Sequence, residues 1–204
     1  MSIVVEHDKR RREILEKALD AFMDDGFEDV TFQKIADRCG ITRTTLYIYF
    51  KNKKDIFNFS IKQLLAGLEH DITEVGSDET LNSVDKLSLM LIKVIDKLEE
   101  NRRLLTVIMN YLLYLAKGSH DPDYRVRRRT IRLRHILATI LIEGIKKGEI
   151  AKVNIKDADN LLYGLVETAA FRLVILKQTA VDDLKRTVVM AVRQLAAVPG
   201  TASK

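Results

Sequence analysis

A single cysteine, Cys39, stands among 204 residues. That excludes an internal disulfide framework, and a lone thiol fits a reducing compartment. Only 2 prolines and 9 glycines interrupt the chain, and both prolines, Pro122 and Pro199, come late. So few breakers beside long periodic runs predict an all-α fold. No strand-like alternation persists anywhere, and no short repeat is visible. Long uncharged apolar runs are missing as well. The richest, Leu161 to Leu176, is broken by Glu167 and Arg172, so no membrane partner is expected. Ile3-Val4-Val5 meets Glu6-His7-Asp8 at once, too short a run for the core of a secretory signal, and a cytoplasmic location is expected. There is no HExxH spacing, no GxGxxG or Walker loop and no nucleophile motif. An enzyme is therefore not expected, and neither a cofactor nor a metal is.

What is present is a chain that can build a real core, 47% hydrophobic and 31% charged. The net charge is +5, but its placement says more than its sum. Residues 1–60 hold 11 Lys/Arg and 11 Asp/Glu. Between Thr31 and Lys54, six basic residues face only Asp37 as an acid. Lys9-Arg10-Arg11-Arg12 forms a second positive cluster, while Asp24, Asp25, Glu28 and Asp29 gather negative charge elsewhere. A neutral total with a segregated positive stretch is an electrostatic footprint for phosphate.

Periodicity predicts about nine helices. Residues 1–8 read as a loose arm. A first helix from about Lys9 to Asp25 carries Ile14, Leu15, Ala18, Leu19, Phe22 and Met23 at three- and four-residue spacing. Gly26 stops it. Thr31 is placed to cap a second helix with Ile35 and Ala36 facing inward. Gly40 makes a turn, Thr42 caps a third helix, and Leu46, Tyr49 and Phe50 give that helix its inner face. Asn52 caps a fourth helix, with Asp55 as its capping-box partner. Further helices are expected from Thr80 to about Glu99, over Leu104 to Leu115 after Asn101, and from Asp123 to Lys147, with a turn at Lys117 to Pro122. A final pair covers about Asp157 to Lys177 and Val181 to Ala197, and the tail 199–204 is expected to fray. The resulting division is a three-helix head at 1–54 and a helical body at 55–204.

The second and third helices, joined by the Gly40 turn, form a helix-turn-helix. Such a motif works because a helix fits the major groove, with phosphate contacts setting position and base edges read by side chains. Arg43 and Thr44 project from the first turn of the third helix and are the base-reading candidates. Thr42, Thr45, Tyr47, Lys51, Lys53 and Lys54 are phosphate candidates on and after that helix. Thr31 and Gln33 are phosphate candidates on the second. Thr42 can equally be only a cap, and Cys39 reads as a small packed residue, since nothing nearby could act as a resolving thiol.

Residues 14–57 resemble the DNA-binding head of the TetR family of transcriptional regulators. The resemblance rests on Ile14-Leu15, Ala18, Phe22, Gly26-Phe27, Thr31, Ile35-Ala36, Gly40-Ile41-Thr42, Thr45-Leu46-Tyr47, Tyr49-Phe50, Lys51, Lys53 and Asp55-Ile56-Phe57. It implies that Thr42, Tyr47 and Lys51 or Lys53 hold phosphate and that Arg43 and Thr44 read bases. Two positions depart from the pattern. Thr44 stands where a small residue, commonly Gly, is usual, and Cys39 stands where Ala is usual.

The resemblance also implies a homodimer on a palindromic DNA operator and a small-molecule effector sensed by the body, most often releasing a repressor. The residues support the dimer on their own terms, because the stretch 161–176 is more apolar than one face requires. Leu161, Leu165, Ala169, Leu173, Leu184, Val188 and Val192 are the interface candidates. Asn110, Tyr111, Tyr114, His135, Tyr163 and Glu167 are candidate polar handles for an effector. The cluster Arg125, Arg127, Arg128, Arg129, Arg132 and Arg134 reads as a solvated face or as help for an anionic ligand or the DNA field. The alternative to a ligand-responsive regulator is an architectural DNA-binding protein with weak sequence preference and no effector.

Overall fold

The computed structural model describes the backbone of residues 2–117 and 124–197, and their side chains except those of 2–5, 63–66, 69, 115, 117 and 124–130. Within those residues nine helices follow one another: α1 (Ser2–Asp29), α2 (Phe32–Cys39), α3 (Arg43–Tyr49), α4 (Lys53–Ser77), α5 (Ser83–Glu100), α6 (Arg102–Lys117), α7 (Tyr124–Lys147), α8 (Ile155–Val174) and α9 (Asp182–Gln194). One antiparallel bridge, Ile150 to Ala196, is the β-type pairing among them.

The helix order matches the periodicity, and the differences lie at the ends. α1 starts at Ser2, not Lys9, because residues 2–8 contain no glycine or proline to stop it. Gly26, at φ 79° and ψ 163°, breaks the helical path where a stop was expected, and one further turn then reaches Asp29. α5 begins after Asn82 and not at Thr80. The amide and hydroxyl of Thr80 both donate to the Asp78 carboxylate, at 2.9 and 2.6 Å, which holds Thr80 in the preceding turn. Asn82 takes over as cap, accepting from the Asp85 amide at 2.9 Å. Asn154 caps α8 in the same way, so the helix opens at Ile155, two residues before it was expected to. The turn expected at 117–122 and the Asp123 cap lie outside the described residues, as does the tail 199–204.

The chain divides into two compact units, one of residues 1–66 with 103–120 and one of residues 67–102 with 121–204. In the first, Ile14, Ala18, Phe22, Ile35, Leu46, Phe50, Ile56 and Phe57 share one core with Leu104, Val107, Ile108 and Tyr111 of α6. Phe27, Phe57 and Tyr111 form an aromatic centre, with ring centroids 4.4 Å apart for Phe27–Tyr111 and 4.7 Å for Phe57–Tyr111. The head core therefore includes the first half of α4 and most of α6, which a boundary at residue 54 leaves out.

In the second unit α5 packs against α7, α8 and α9. Leu87, Met90, Leu91 and Ile95 of α5 are buried, as are Leu137 and Leu141 of α7. The N-terminus of α5 is fastened from a distance. Glu149 accepts from the Ser83 amide at 2.7 Å, and this contact holds its carboxyl below the usual range. Next to it Gly144 leaves no room for a side chain, since a Cβ there would stand 2.7 Å from the Ser83 Cβ and 2.5 Å from the Ile150 Cδ1. Lys185 of α9 reaches back to α5, with its ammonium 2.6 Å from Asp96 and 2.9 Å from Glu99.

Candidate nucleic-acid interface

Local chemistry shapes the α2–α3 motif. The Thr31 hydroxyl accepts from the Lys34 amide at 3.1 Å and starts α2. Gly40 ends it in the left-handed region, at φ 66° and ψ 33°, with its amide directed back to the carbonyls of Ala36 and Asp37. A Cβ at that φ is strained, which is why a glycine stands at this turn. The Thr42 hydroxyl accepts from the Thr45 amide at 3.1 Å and starts α3, and the two threonine hydroxyls bond each other at 2.8 Å.

Leu46 and Phe50 are fully buried and fix the inner face of α3. Arg43, Thr44, Tyr47 and Ile48 are left on its outer face. The Tyr47 ring leans on Phe32, with centroids 4.8 Å apart, and its hydroxyl accepts from the Arg43 guanidinium at 3.1 Å. Arg43 and Tyr47, read separately from sequence as a base reader and a phosphate holder, thus form a single unit in the unbound protein. Tyr49 is half-buried and stacks on His7 at 4.7 Å.

The structure redistributes the basic residues. Lys34 pairs with Asp25 at 3.4 Å and Arg38 with Asp24 at 2.5 Å, so the acids that end α1 neutralise α2. Gln33 donates to Asp37 at 2.7 Å, which occupies its amide within the helix. Lys53 departs most from its expected role as a phosphate ligand. Its ammonium donates to the carbonyls of Phe27, Glu28 and Val30, at 2.8, 2.6 and 3.0 Å. A lysine has three N–H donors, and here each has a backbone acceptor at the end of α1. Arg43, Lys51 and Lys54 remain exposed and form no ion pair among the described residues, grouped on and just after α3. The capping box of α4 is a variant of the expected one. The Asn52 side chain accepts from the Asp55 amide at 2.9 Å, while Asp55 accepts from the amide of Lys51 at 3.1 Å.

The N-terminal basic cluster divides too. Arg10 pairs with Glu13 at 2.8 Å, and Arg11 lies over the rings of Phe59 and Phe50, at 3.8 and 4.9 Å. Lys9 and Arg12 stay exposed. Cys39 is buried with its Sγ 3.9 Å from the Ile14 carbonyl, and burial pushes its thiol pKa up, the opposite of an activated cysteine.

The six residues proposed as effector handles divide between the two units. Asn110, Tyr111 and Tyr114 lie in the first unit, and His135, Tyr163 and Glu167 in the second. Tyr111 belongs to the aromatic core of the head. Tyr114 is exposed, and its hydrogen bond to Glu28, with the charge of that carboxylate, raises the phenol pKa. Asn110, His135 and Glu167 are exposed, and Tyr163 lies under the Arg134 guanidinium at 5.4 Å. Arg134 is itself held by the mostly buried Asp159 at 2.6 Å. The side chains of Arg125, Arg127, Arg128 and Arg129 lie outside the described residues.

The interface candidates also need correction. Ala169, Leu173, Leu184, Val188 and Val192 are buried within their own chain and cannot meet a second copy. Leu161 is 52% exposed and Leu165 is half-buried, so these two remain available. The outer face of α8 runs through Leu161, Leu165 and Phe171 to Ile175 just past its end, and Met190 stands exposed on α9. Sequence reasoning also missed a groove of about 530 Å³ lined by Ile92, Lys185, Arg186, Val189, Met190, Arg193 and Gln194. Among the described residues no cluster of His, Cys, Asp and Glu could hold a metal, and no helix is long and apolar enough to cross a membrane.

With this geometry established, comparison with known proteins adds independent support. Residues 14–58 match the model of the bacterial regulatory proteins of the tetR family. The chain is 27% identical over 160 residues to the fatty acid metabolism regulator protein of Bacillus subtilis, covering 76% of this chain and 78% of that one. Over 74 residues it is 36% identical to the probable acrEF/envCD operon repressor of Escherichia coli, covering 31% of this chain and 34% of that one. A solved TetR transcription regulator from Haloarcula marismortui has the same fold, with a TM-score of 0.75 at 23% identity, covering 93% of this chain and 99% of that one.

Proposed function

This chain is a transcriptional regulator of the tetR family, and on that premise we propose that it is a dimeric repressor of fatty acid metabolism genes, released from a palindromic operator by an acyl effector. The observation that carries the DNA-binding part is the outer face of α3. Arg43, Thr44, Tyr47 and Ile48 stand clear of the core there, with Lys51 and Lys54 unneutralised beside them. A side-chain set of this kind suits a major groove, with cations for phosphate and a guanidinium for guanine.

A single short helix reads few bases, and a two-fold dimer doubles the reading surface over half-sites about 34–36 Å apart or a multiple of that. The outer face of α8 supplies a reason to dimerise. Leu161, Phe171 and Ile175 are each about half exposed, at 52, 51 and 49%, and burying them against the same face of a second copy removes their apolar surface from water. The acyl class of effector rests on the name of the Bacillus subtilis relative. Repression rests on the name of the Escherichia coli relative, a probable operon repressor matched over 74 residues.

Selecting bound duplexes from a random pool with the full chain tests the reading. The enriched duplexes should share a two-fold symmetric sequence. Long-chain fatty acids or their thioesters, titrated in, should weaken binding tenfold or more, a coupling of about 1.4 kcal/mol. An enriched pool with no common sequence would leave an architectural DNA-binding protein. Specific binding that no acyl compound weakens would remove the fatty acid part alone.

A further inference from the structure

We propose that Ile48 reads the C5-methyl group of a thymine in the operator, so that the recognition face of α3 has an apolar half, Thr44 and Ile48, beside its polar half, Arg43 and Tyr47. This rests on the operator-binding reading above and assigns a base-reading residue within it.

Ile48 is 68% exposed, the highest value among the exposed large hydrophobic residues described in the chain. It is not part of the core, since Leu46 and Phe50 on either side carry the packing of α3. Its chain neighbours are held by other rings, Tyr47 by Phe32 and Tyr49 by His7, so the flanks of Ile48 are fixed while its own side chain is bare. Thr44 stands one helical turn earlier, also exposed, so the γ-methyl of one and the branched chain of the other line the same strip of helix. A β-branched side chain in a helix keeps essentially one χ1 rotamer, so its methyls are already in position and lose little entropy on contact.

The surroundings select the partner. Arg43, Lys51 and Lys54 lie exposed around this strip, their side chains in no ion pair among the described residues, which favours a polyanion over an apolar protein surface. On a polyanionic duplex the apolar group presented in the major groove is the thymine methyl. Burying one methyl is worth about 0.8 kcal/mol, a factor of about four in affinity.

The test uses the full chain and its selected operator, with each thymine replaced in turn by deoxyuridine, which removes only the methyl. Wild-type protein should lose affinity about fourfold at one thymine of each half-site. Ile48→Ala, an exposed change to a better helix former, should bind the unmodified operator more weakly and be indifferent to that replacement. Ile48→Val should retain a partial response, while Arg43-dependent preference for guanine persists in both variants. The proposal is overturned if wild type tolerates every replacement, or if Ile48→Ala responds to each as wild type does. If no form of the protein prefers any sequence, the operator reading itself has failed, which is a separate result.

Discussion

Arg43 and Tyr47 show how a recognition surface can be organised before DNA arrives. The phenol holds the guanidinium at 3.1 Å, which limits the rotamers of a long side chain. Their contributions to binding should not add. Arg43→Ala should cost roughly 1–3 kcal/mol of sequence discrimination. Tyr47→Phe removes the acceptor and should disturb the same base position as well as overall affinity. A double-mutant cycle on operator binding should return a coupling of at least about 0.5 kcal/mol, and additive losses would show that the pair separates on DNA. Lys53 makes the opposite case, a cation whose work is internal. Its three carbonyl bonds fasten the end of α1 to the start of α4. Lys53→Met should lower unfolding stability by about 1–3 kcal/mol, measured by denaturant titration, with little change in the salt dependence of DNA binding. A fall of about one in the salt slope with no loss of stability would return Lys53 to the phosphate ligands.

Among the elements, the start of α5 depends on residues distant in the chain. Glu149 caps it, Gly144 leaves the space it occupies, and Lys86 donates to the Gly76 carbonyl at 2.8 Å, joining it to the end of α4. Alanine is the better helix former, so on propensity alone Gly144→Ala in α7 would stabilise by about 1 kcal/mol. Here the added methyl meets the Ser83 Cβ, which cannot swing aside, and Ile150, which is buried. Overpacking should prevail, and we expect a net loss of roughly 1–3 kcal/mol in thermal or denaturant unfolding. The bridge after α7 strengthens this region, with the Ala151 amide donating to the Leu195 carbonyl at 2.9 Å and the Ala197 amide to the Glu149 carbonyl at 3.0 Å.

For the whole molecule the proposed dimer turns on α8. α8 is apolar on two sides, one turned into its own chain and one outward. The interface candidates on α8 were spaced by four residues, Leu161, Leu165, Ala169 and Leu173. At 3.6 residues per turn each step of four rotates about 40°, so this series passes from the outer face into the core. Leu161 lies outside and Leu173 is buried. Phe171→Glu with Ile175→Glu should yield monomers in sedimentation and abolish tight operator binding while leaving helical content intact. A protein that stays dimeric with both glutamates would place the interface on another face. Leu184→Glu should instead unfold the protein, because Leu184 belongs to the core.

Features set by neighbours along the chain were legible in the sequence. Helix order, the Thr31, Thr42 and Asn52 caps, the Gly40 turn and the inward face of α3 all depend on contacts within four or five residues, so spacing and side-chain chemistry sufficed. The resemblance to the tetR family rests on the same local pattern. Tertiary structure decided which of two apolar faces is internal and which charges remain free. Asp24 and Arg38 lie 14 residues apart, and Lys53 and Phe27 lie 26 apart. An ion pair or a cap at such a separation exists only once helices pack, and until then Lys34, Arg38 and Lys53 look the same as Lys51 and Lys54. Of the six basic residues between Thr31 and Lys54, Arg43, Lys51 and Lys54 are the ones left for the proposed DNA contact, and Ile48 stands out only once its neighbours have found the core.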